Sequence, residues 1–475
     1  MVFNSFTFLV FFTLFALVYF GMKGKLQLWW LLVGSIVFCA FYSLKGLGIL
    51  SALIVCNYFT GIWIEKTIKK NAVLLLSCIV NLGALFIFKY YNFFNLEFSS
   101  FLNGIGIHNP LPVLHLLVPV GLSYFILQAI GYNVDIQREM EPAEKKFLVF
   151  TTYFLYFPKL IQGPVDRPRN IFPQLYESKK FDYNRVVSGL KLIAWGLIKK
   201  LVIADRLSIV VSQVYDHTEQ YSGIILLVAG LFYMVQLYAD FSGYMDIALG
   251  VSQILGIEIM QNFNRPFAAT SVTDFWKRWH ISLSTWLYEY VYNPISLQWR
   301  NLGNWGMVFA IFITFFLSGL WHGVGWTFMT WGLINGLAMG YELRTAKWRK
   351  KFFKKMSPLS AKYLTMTITF VFTLLSFTFV RANTVSEGWY VITHLFDQSK
   401  LVSFYSLGLD HLNFILACCG VLLLLILQFY QPKINFSQAL TSKPAFIRWS
   451  VYGIIALVIL NLGILGGKGF IYAQF

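Results

Sequence analysis

FFLSGLWHGVGWTFMTWG, residues 315–332, is apolar on both sides of one histidine, His322. It reads as membrane-buried helix before and after the imidazole, with spans over 304–321 and 325–342 and His322 at their junction. A histidine is costly in that setting unless it is paired or does chemistry. The stretch decides two things together: the chain lives in a membrane, and His322 needs an explanation.

The rest of the chain agrees. Of its 475 residues, 57% are hydrophobic and 12% charged, where a soluble chain is about a quarter charged. Apolar runs of about 17–22 residues recur, each long enough to cross the hydrocarbon core. Candidate spans are 2–21, 27–43, 47–64, 71–91, 112–133, 188–204, 222–239, 243–258, 304–321, 325–342, 362–380, 411–430 and 447–465. The expected fold is an all-α polytopic membrane protein forming a single integral-membrane domain over 1–475. The first run, Val2–Gly21, lacks a basic start and a small-residue cleavage site, so it is expected to stay as a helix.

Lys and Arg total 38 against 21 Asp and Glu, a net charge of +17. The basic residues cluster in short loops between spans, as orientation requires, so no nucleic-acid partner is expected. Loops 22–25, 65–70, 138–146 and 344–355 should face the cytoplasm, with both termini outside. The five cysteines lie in apolar runs without metal-ligand spacing, and no metal site is expected.

Two stretches resist a simple span. FPKLIQGPVDRPRNIFPQL (157–175) holds four prolines, so no single helix runs through it. Such backbone at membrane depth is buried in protein or lines a wet cavity, which suggests a re-entrant loop. Arg167 and Arg169 on it either grip phosphates or face lipid headgroups. SVTDFWKRWHISLSTWLYEYVYNPI (271–295) has capping-box spacing at Ser271 and Asp274. At helical spacing, Trp276, Trp279, Leu283, Trp286, Leu287 and Tyr290 share one face. That predicts an amphipathic helix lying in the interface, ended by Pro294, with His280 at the edge of its aromatic face.

His280 and His322, both set among tryptophans, are the two histidines expected to be buried. Imidazole takes and returns a proton near neutral pH better than any other unperturbed side chain. YADFSGYMDIALG (238–250) places Asp240 and Asp246 in apolar surroundings, where they must be paired, neutral or facing a cavity; Gly243 is expected to break this stretch between two spans. Ser123, Gln128, Tyr132 and Asp135 fall on one side of another apolar run, a polar stripe facing the bundle interior. Nucleotide-binding, zinc-protease and serine-hydrolase motifs are not found.

DFWKRWHISLSTW, followed about forty residues later by SGLWHGVGWTFMTWG, resembles the membrane-bound O-acyltransferase family. VPVGLSYFILQAIGYNVD, FPKLIQGPVDRPRNIFPQL and DFSGYMDIALG extend the likeness over about 80–345, leaving 1–79 and 360–475 as peripheral helices. Within the family the likeness is to the alginate O-acetyltransferase branch, and more distantly to the teichoic acid D-alanyl transferases. The resemblance implies a ring of about 11–13 transmembrane helices, with re-entrant and interfacial helices around a central tunnel. It implies His322 as the essential histidine and His280 as the second family position. A donor, acetyl-CoA or another acyl thioester, would arrive from the cytoplasm, and no bound cofactor is implied. Arg167, Arg169, Lys277, Arg278, Asp240, Asp246 and Trp321 are candidate donor-binding residues. EYVYNPISLQWRN (289–301) departs from the family branch and leaves donor identity open. The implied acceptor is a hydroxyl of an exported polysaccharide or its acetyl-relay partner, an extracytoplasmic esterase-like protein, in a bacterial inner membrane. Acyl transfer from a carrier protein to a cell-wall polymer, a protein or lipid acyltransferase, and a proton-coupled transporter stand as alternatives.

Overall fold

A computed structural model describes all residues except 401, 431–439, 441, 465–468 and 471–475; the last residue of the span expected over 447–465 falls outside them. The regular secondary structure of the described residues is helical, with one isolated bridge, Phe263 to Trp279, as their only extended pairing. The expected all-α polytopic fold is what forms. Among the described residues, seven helices are long and apolar enough to cross a membrane, and two shorter apolar ones precede them.

The chain divides into two units. The first comprises 1–189 and 248–260. Its helices are α1 (Phe6–Gly21), α2 (Lys25–Ala40), α3 (Leu44–Lys66), α4 (Lys70–Leu85) and α5 (Tyr91–Gly104), then α6 (Leu122–Gln137), α7 (Phe147–Leu155), α8 (Phe157–Leu160) and α9 (Pro168–Tyr176). A π-helical turn, Phe86–Tyr90, joins α4 to α5. Serines at 5 and 43 cap α1 and α3 by accepting from first-turn amides. Between α3, α4 and α6 the glue is polar. Asn57 and Asn81 donate to each other's carbonyl oxygens at 3.0 and 2.9 Å, and Asn133 donates to Asn57 and to the Ser77 hydroxyl, each at 2.8 Å. Such bonds hold helices together where lipid removes the hydrophobic drive for association.

The polar stripe on α6 also finds partners. Gln128 accepts from buried Lys159 at 2.7 Å, and the Tyr132 hydroxyl accepts from the Glu144 amide at 3.0 Å. The span expected over 112–133 starts as helix only at Leu122, because Gly121 turns with φ +76° and a Cβ there would lie 2.0 Å from the Leu160 carbonyl oxygen. The proline-rich stretch breaks as expected, between α8 and α9, and its helical pieces carry prolines in their first turns.

The second unit comprises 190–247 and 261–475. Continuing in chain order, the elements are α10 (Tyr183–Leu197), a π-helix (Ile198–Ala204), α11 (Asp205–Tyr215), α12 (Ile224–Leu255), α13 (Val272–Trp276), α14 (Ile281–Leu287), α15 (Asn293–Gln298), α16 (Asn304–His322), α17 (Trp326–Phe353), α18 (Pro358–Arg381), α19 (Val385–Thr393), α20 (His411–Phe429) and α21 (Ala445–Leu462); the first seven residues of α10 and the last eight of α12 are assigned to the first unit. Two expectations are corrected here. Gly243 does not break a span: α12 runs through it, and a Cβ at Gly243 would sit 2.9 Å from the Gly196 carbonyl oxygen, so the glycine serves close helix packing instead. The amphipathic helix of 271–295 is not continuous. It breaks at His280, and Pro294 stands in the first turn of α15 rather than ending the segment.

Candidate active site

The site is built where the broken helix meets the α16–α17 hairpin in the second unit. Small residues bring that hairpin together. A Cβ on Gly319 would lie 2.4 Å from the Phe328 carbonyl oxygen, and one on Gly332 would lie 2.4 Å from that of Phe315. The two helices therefore touch backbone to backbone. His322, the last residue of α16, ends up facing α17.

His322 is buried, and its Nδ1 lies 2.7 Å from the carbonyl oxygen of Ser318, one turn back. A carbonyl oxygen can only accept, so Nδ1 carries the hydrogen. In the neutral ring, Nε2 then holds the lone pair, which makes it the basic nitrogen.

His280 is wholly buried between α13 and α14 with φ 47° and ψ 51°, the left-handed region. A residue with a Cβ occupies that region at a cost unless its surroundings fix it. Here they do so on both sides. Asn264 donates its amide to the Arg278 carbonyl at 2.9 Å. The Ile281 amide donates to the Asn262 carbonyl at 3.0 Å, and the Ser282 amide to the Asn262 side chain at 2.9 Å. Glu342 of α17 caps α13, accepting from the amides of Val272 and Thr273 at 2.9 and 3.0 Å. Ser271 accepts from the Asp274 amide at 2.9 Å, the cap its spacing predicted.

The result is a histidine pair in an aromatic box. The two imidazole centres are 6.3 Å apart and nearly perpendicular. Phe241 of α12 stands 4.8 Å from His280, Trp321 stands 5.0 Å from His322, and Trp331 of α17 stands 4.9 Å from His322. Burial, reinforced by the neighbouring His322, holds the His280 pKa well below the usual histidine range, so its ring stays neutral at physiological pH.

The remaining candidates separate. Trp321 lies in the box, 6.1 Å from His280. Asp240 accepts from Lys200 at 2.7 Å, and Lys200 also pairs with Asp205 at 2.8 Å. Asp246 pairs with Lys199 at 2.6 Å. Lys277 is exposed, and Arg278 is tied to Asp274 at 2.8 Å, so neither joins the imidazoles. Arg167 and Arg169 belong to the first unit, where Arg167 is buried and donates to the Val165 carbonyl at 2.9 Å. Sequence reasoning missed Phe241, Ser318, Trp331 and the two lysines; a pair of lysines inside the run 188–204 was the readable signal for the last of these.

The sequence pattern of the membrane-bound O-acyltransferase family matches residues 134–384, which contain the whole box. The chain belongs to this family. Its similarity extends across the branches expected. It is 32% identical to a probable alginate O-acetylase of Azotobacter vinelandii over 94% of this chain and 87% of that one. It is 32% identical to a peptidoglycan O-acetyltransferase of Helicobacter pylori over 76% and 72% of the two chains. A teichoic acid D-alanyltransferase of Bacillus subtilis is 27% identical over 56% of this chain and 70% of its own. As a member of the family the chain is an O-acyltransferase, an integral membrane enzyme that moves an acyl group to a hydroxyl.

Proposed function

We propose that this acyltransferase moves an acetyl group from a cytoplasmic thioester, acetyl-CoA in the leading case, to a hydroxyl of an exported polysaccharide or of an extracytoplasmic relay partner. The whole chain acts as one catalytic domain in a bacterial inner membrane. The observation that carries the reading is the fixed tautomer of His322: Nδ1–H is held by the Ser318 carbonyl, leaving Nε2 as the base.

The acceptor hydroxyl donates to Nε2 and attacks the acetyl carbonyl as its proton transfers. General-base assistance of this kind contributes about 10²–10⁴ in rate. The tetrahedral intermediate collapses, the carbon–sulfur bond breaks, and the proton returns to the departing thiolate. Neutral His280, 6.3 Å away between ring centres, polarises the carbonyl through an N–H. The aromatic walls exclude water, which protects the thioester from hydrolysis. Sequence similarity to polysaccharide and peptidoglycan O-acetylating enzymes supports an acetyl group and a polymer acceptor. Proton-coupled transport draws less support, since both aspartates it would use are ion-paired to lysines.

The test uses membranes carrying wild type or His322→Ala, supplied with radiolabelled acetyl-CoA, polymer and the extracytoplasmic partner, at matched expression. Label should pass to the acceptor in wild type and be lost in the variant. Transfer that survives the substitution would remove His322 from the chemistry.

A further inference from the structure

Two buried indoles that pack on each other, Trp276 and Trp331 of the aromatic box, differ in one respect. Trp276 donates its Nε1–H to the Asn335 side chain at 3.2 Å. Trp331 is 3% exposed, and its Nε1 has no acceptor among the described residues. Its ring is held by Trp276 at 5.5 Å, Phe377 at 6.3 Å and His322 at 4.9 Å. Its own backbone carbonyl accepts from Asn335 at 2.9 Å. The indole is thus fixed by packing alone, and an N–H enclosed without an acceptor is costly. Tyrosine and tryptophan normally find a partner for their polar atom when buried. The indole that breaks this rule packs against the base.

We propose that Trp331 is a further catalytic residue whose Nε1–H donates to the acyl carbonyl oxygen of the donor, alongside His280. The inference rests on the acyl-transfer reading and adds a named donor to it. The indole is centred 4.9 Å from the His322 imidazole, so it packs directly against the ring whose Nε2 activates the attacking oxygen. As that oxygen bonds to the carbonyl carbon, the carbonyl π pair moves onto oxygen and the proton passes to Nε2. The charge gathers on one oxygen, and a fixed donor strengthens there without any rearrangement. The oxyanion collapses as the carbon–sulfur bond breaks, and the thiolate takes the proton from His322. Indole suits this position because it donates only, so it cannot compete with the acceptor hydroxyl for the base.

The experiment compares wild type, Trp331→Phe, and a variant with 3-benzothienylalanine at 331, which replaces N–H by sulfur in nearly the same shape. Purified enzymes are assayed for acetyl transfer with the relay partner and polymer present, after melting curves confirm folding. Both variants should lose about 10²–10³ in kcat with KM changed by a few-fold at most, the size expected for one oxyanion donor. With a trifluoroacetyl thioester, whose oxyanion is less basic, the loss should shrink; a packing defect would slow both donors alike. Turnover within three-fold of wild type by either folded variant overturns the proposal, and the benzothienyl variant alone decides if Trp331→Phe does not fold. A dead His322→Ala beside an active Trp331 variant rejects this inference and spares the acyl-transfer reading. An active His322→Ala rejects that reading first.

Discussion

His280 joins two demands that a single side chain seldom meets. It occupies the left-handed region, and its ring is sealed from water beside a second imidazole. The sealed ring has a consequence for stability. The folded-state pKa is depressed below the ordinary histidine value of about 6.5, while the unfolded chain titrates near it. Below that pH the unfolded state binds the proton and the folded state does not, so stability falls as pH falls; above it the two states are alike. A group held neutral in this way contributes about 1.4 kcal/mol per pH unit over the window. Thermal melts in detergent at pH 7 and pH 5 should therefore show a larger drop for wild type than for His280→Asn, whose side chain tolerates the same backbone region and does not titrate. Equal drops would mean that the His280 ring is protonated in the folded enzyme. The residue type and its buried surroundings were legible in the sequence. The backbone strain was not, because it is imposed by Asn262 and Asn264, residues outside the helical pattern that 271–295 displays.

At the scale of elements, α12 is held against the site by two lysines from one π-helix. Phe241, which packs on His280, is flanked by Asp240, bound to Lys200, and by Ser242, which accepts from Lys199 at 3.2 Å. Lys199 also pairs with Asp246. A π-helix carries consecutive residues through a wider turn, and such bulges gather at functional positions. Here it lets adjacent lysines reach three carboxylates. Breaking a buried pair by removing one partner costs about 3–5 kcal/mol, while replacing both with apolar residues is often neutral. Lys199→Met should therefore lower the melting temperature and the monodisperse fraction sharply, and Lys199→Met with Asp246→Leu should restore most of both. If the single variant melts like wild type, the ion pair is not what fixes α12. Sequence reading established that the aspartates must be compensated, yet it gave them no partner and placed a break at Gly243. A glycine in a long apolar run has two uses, ending a helix or admitting a neighbour. Only the Gly196 carbonyl lying against Gly243 decides between them.

At the scale of the molecule, hydrophobic length and loop charge made the membrane class legible, since both follow from transfer energies that need no tertiary contacts. Span number was harder to read. The single-helix continuity of 224–255 and the late start of α6 at Leu122 depend on contacts that hydropathy does not encode. Orientation remains a direct physical consequence of charge. Basic residues flank Ile68 and Met140 but not Ile107, and all three are exposed. The 35-residue helix Lys70–Gly104 is long enough to carry the chain from the first of these to the third. In a variant with the five cysteines replaced, single cysteines at Ile68, Met140 and Lys354 should react with a membrane-impermeant maleimide only after the membrane is opened. A cysteine at Ile107 should react in intact cells. That labelling would place the base-rich loops on the cytoplasmic side, from which the proposed thioester donor comes, and the 105–121 segment on the opposite side, that of the proposed polymer acceptor. Labelling of Ile68→Cys in intact cells, with Ile107→Cys protected, would invert the enzyme and require the donor to reach the histidine pair from the outside.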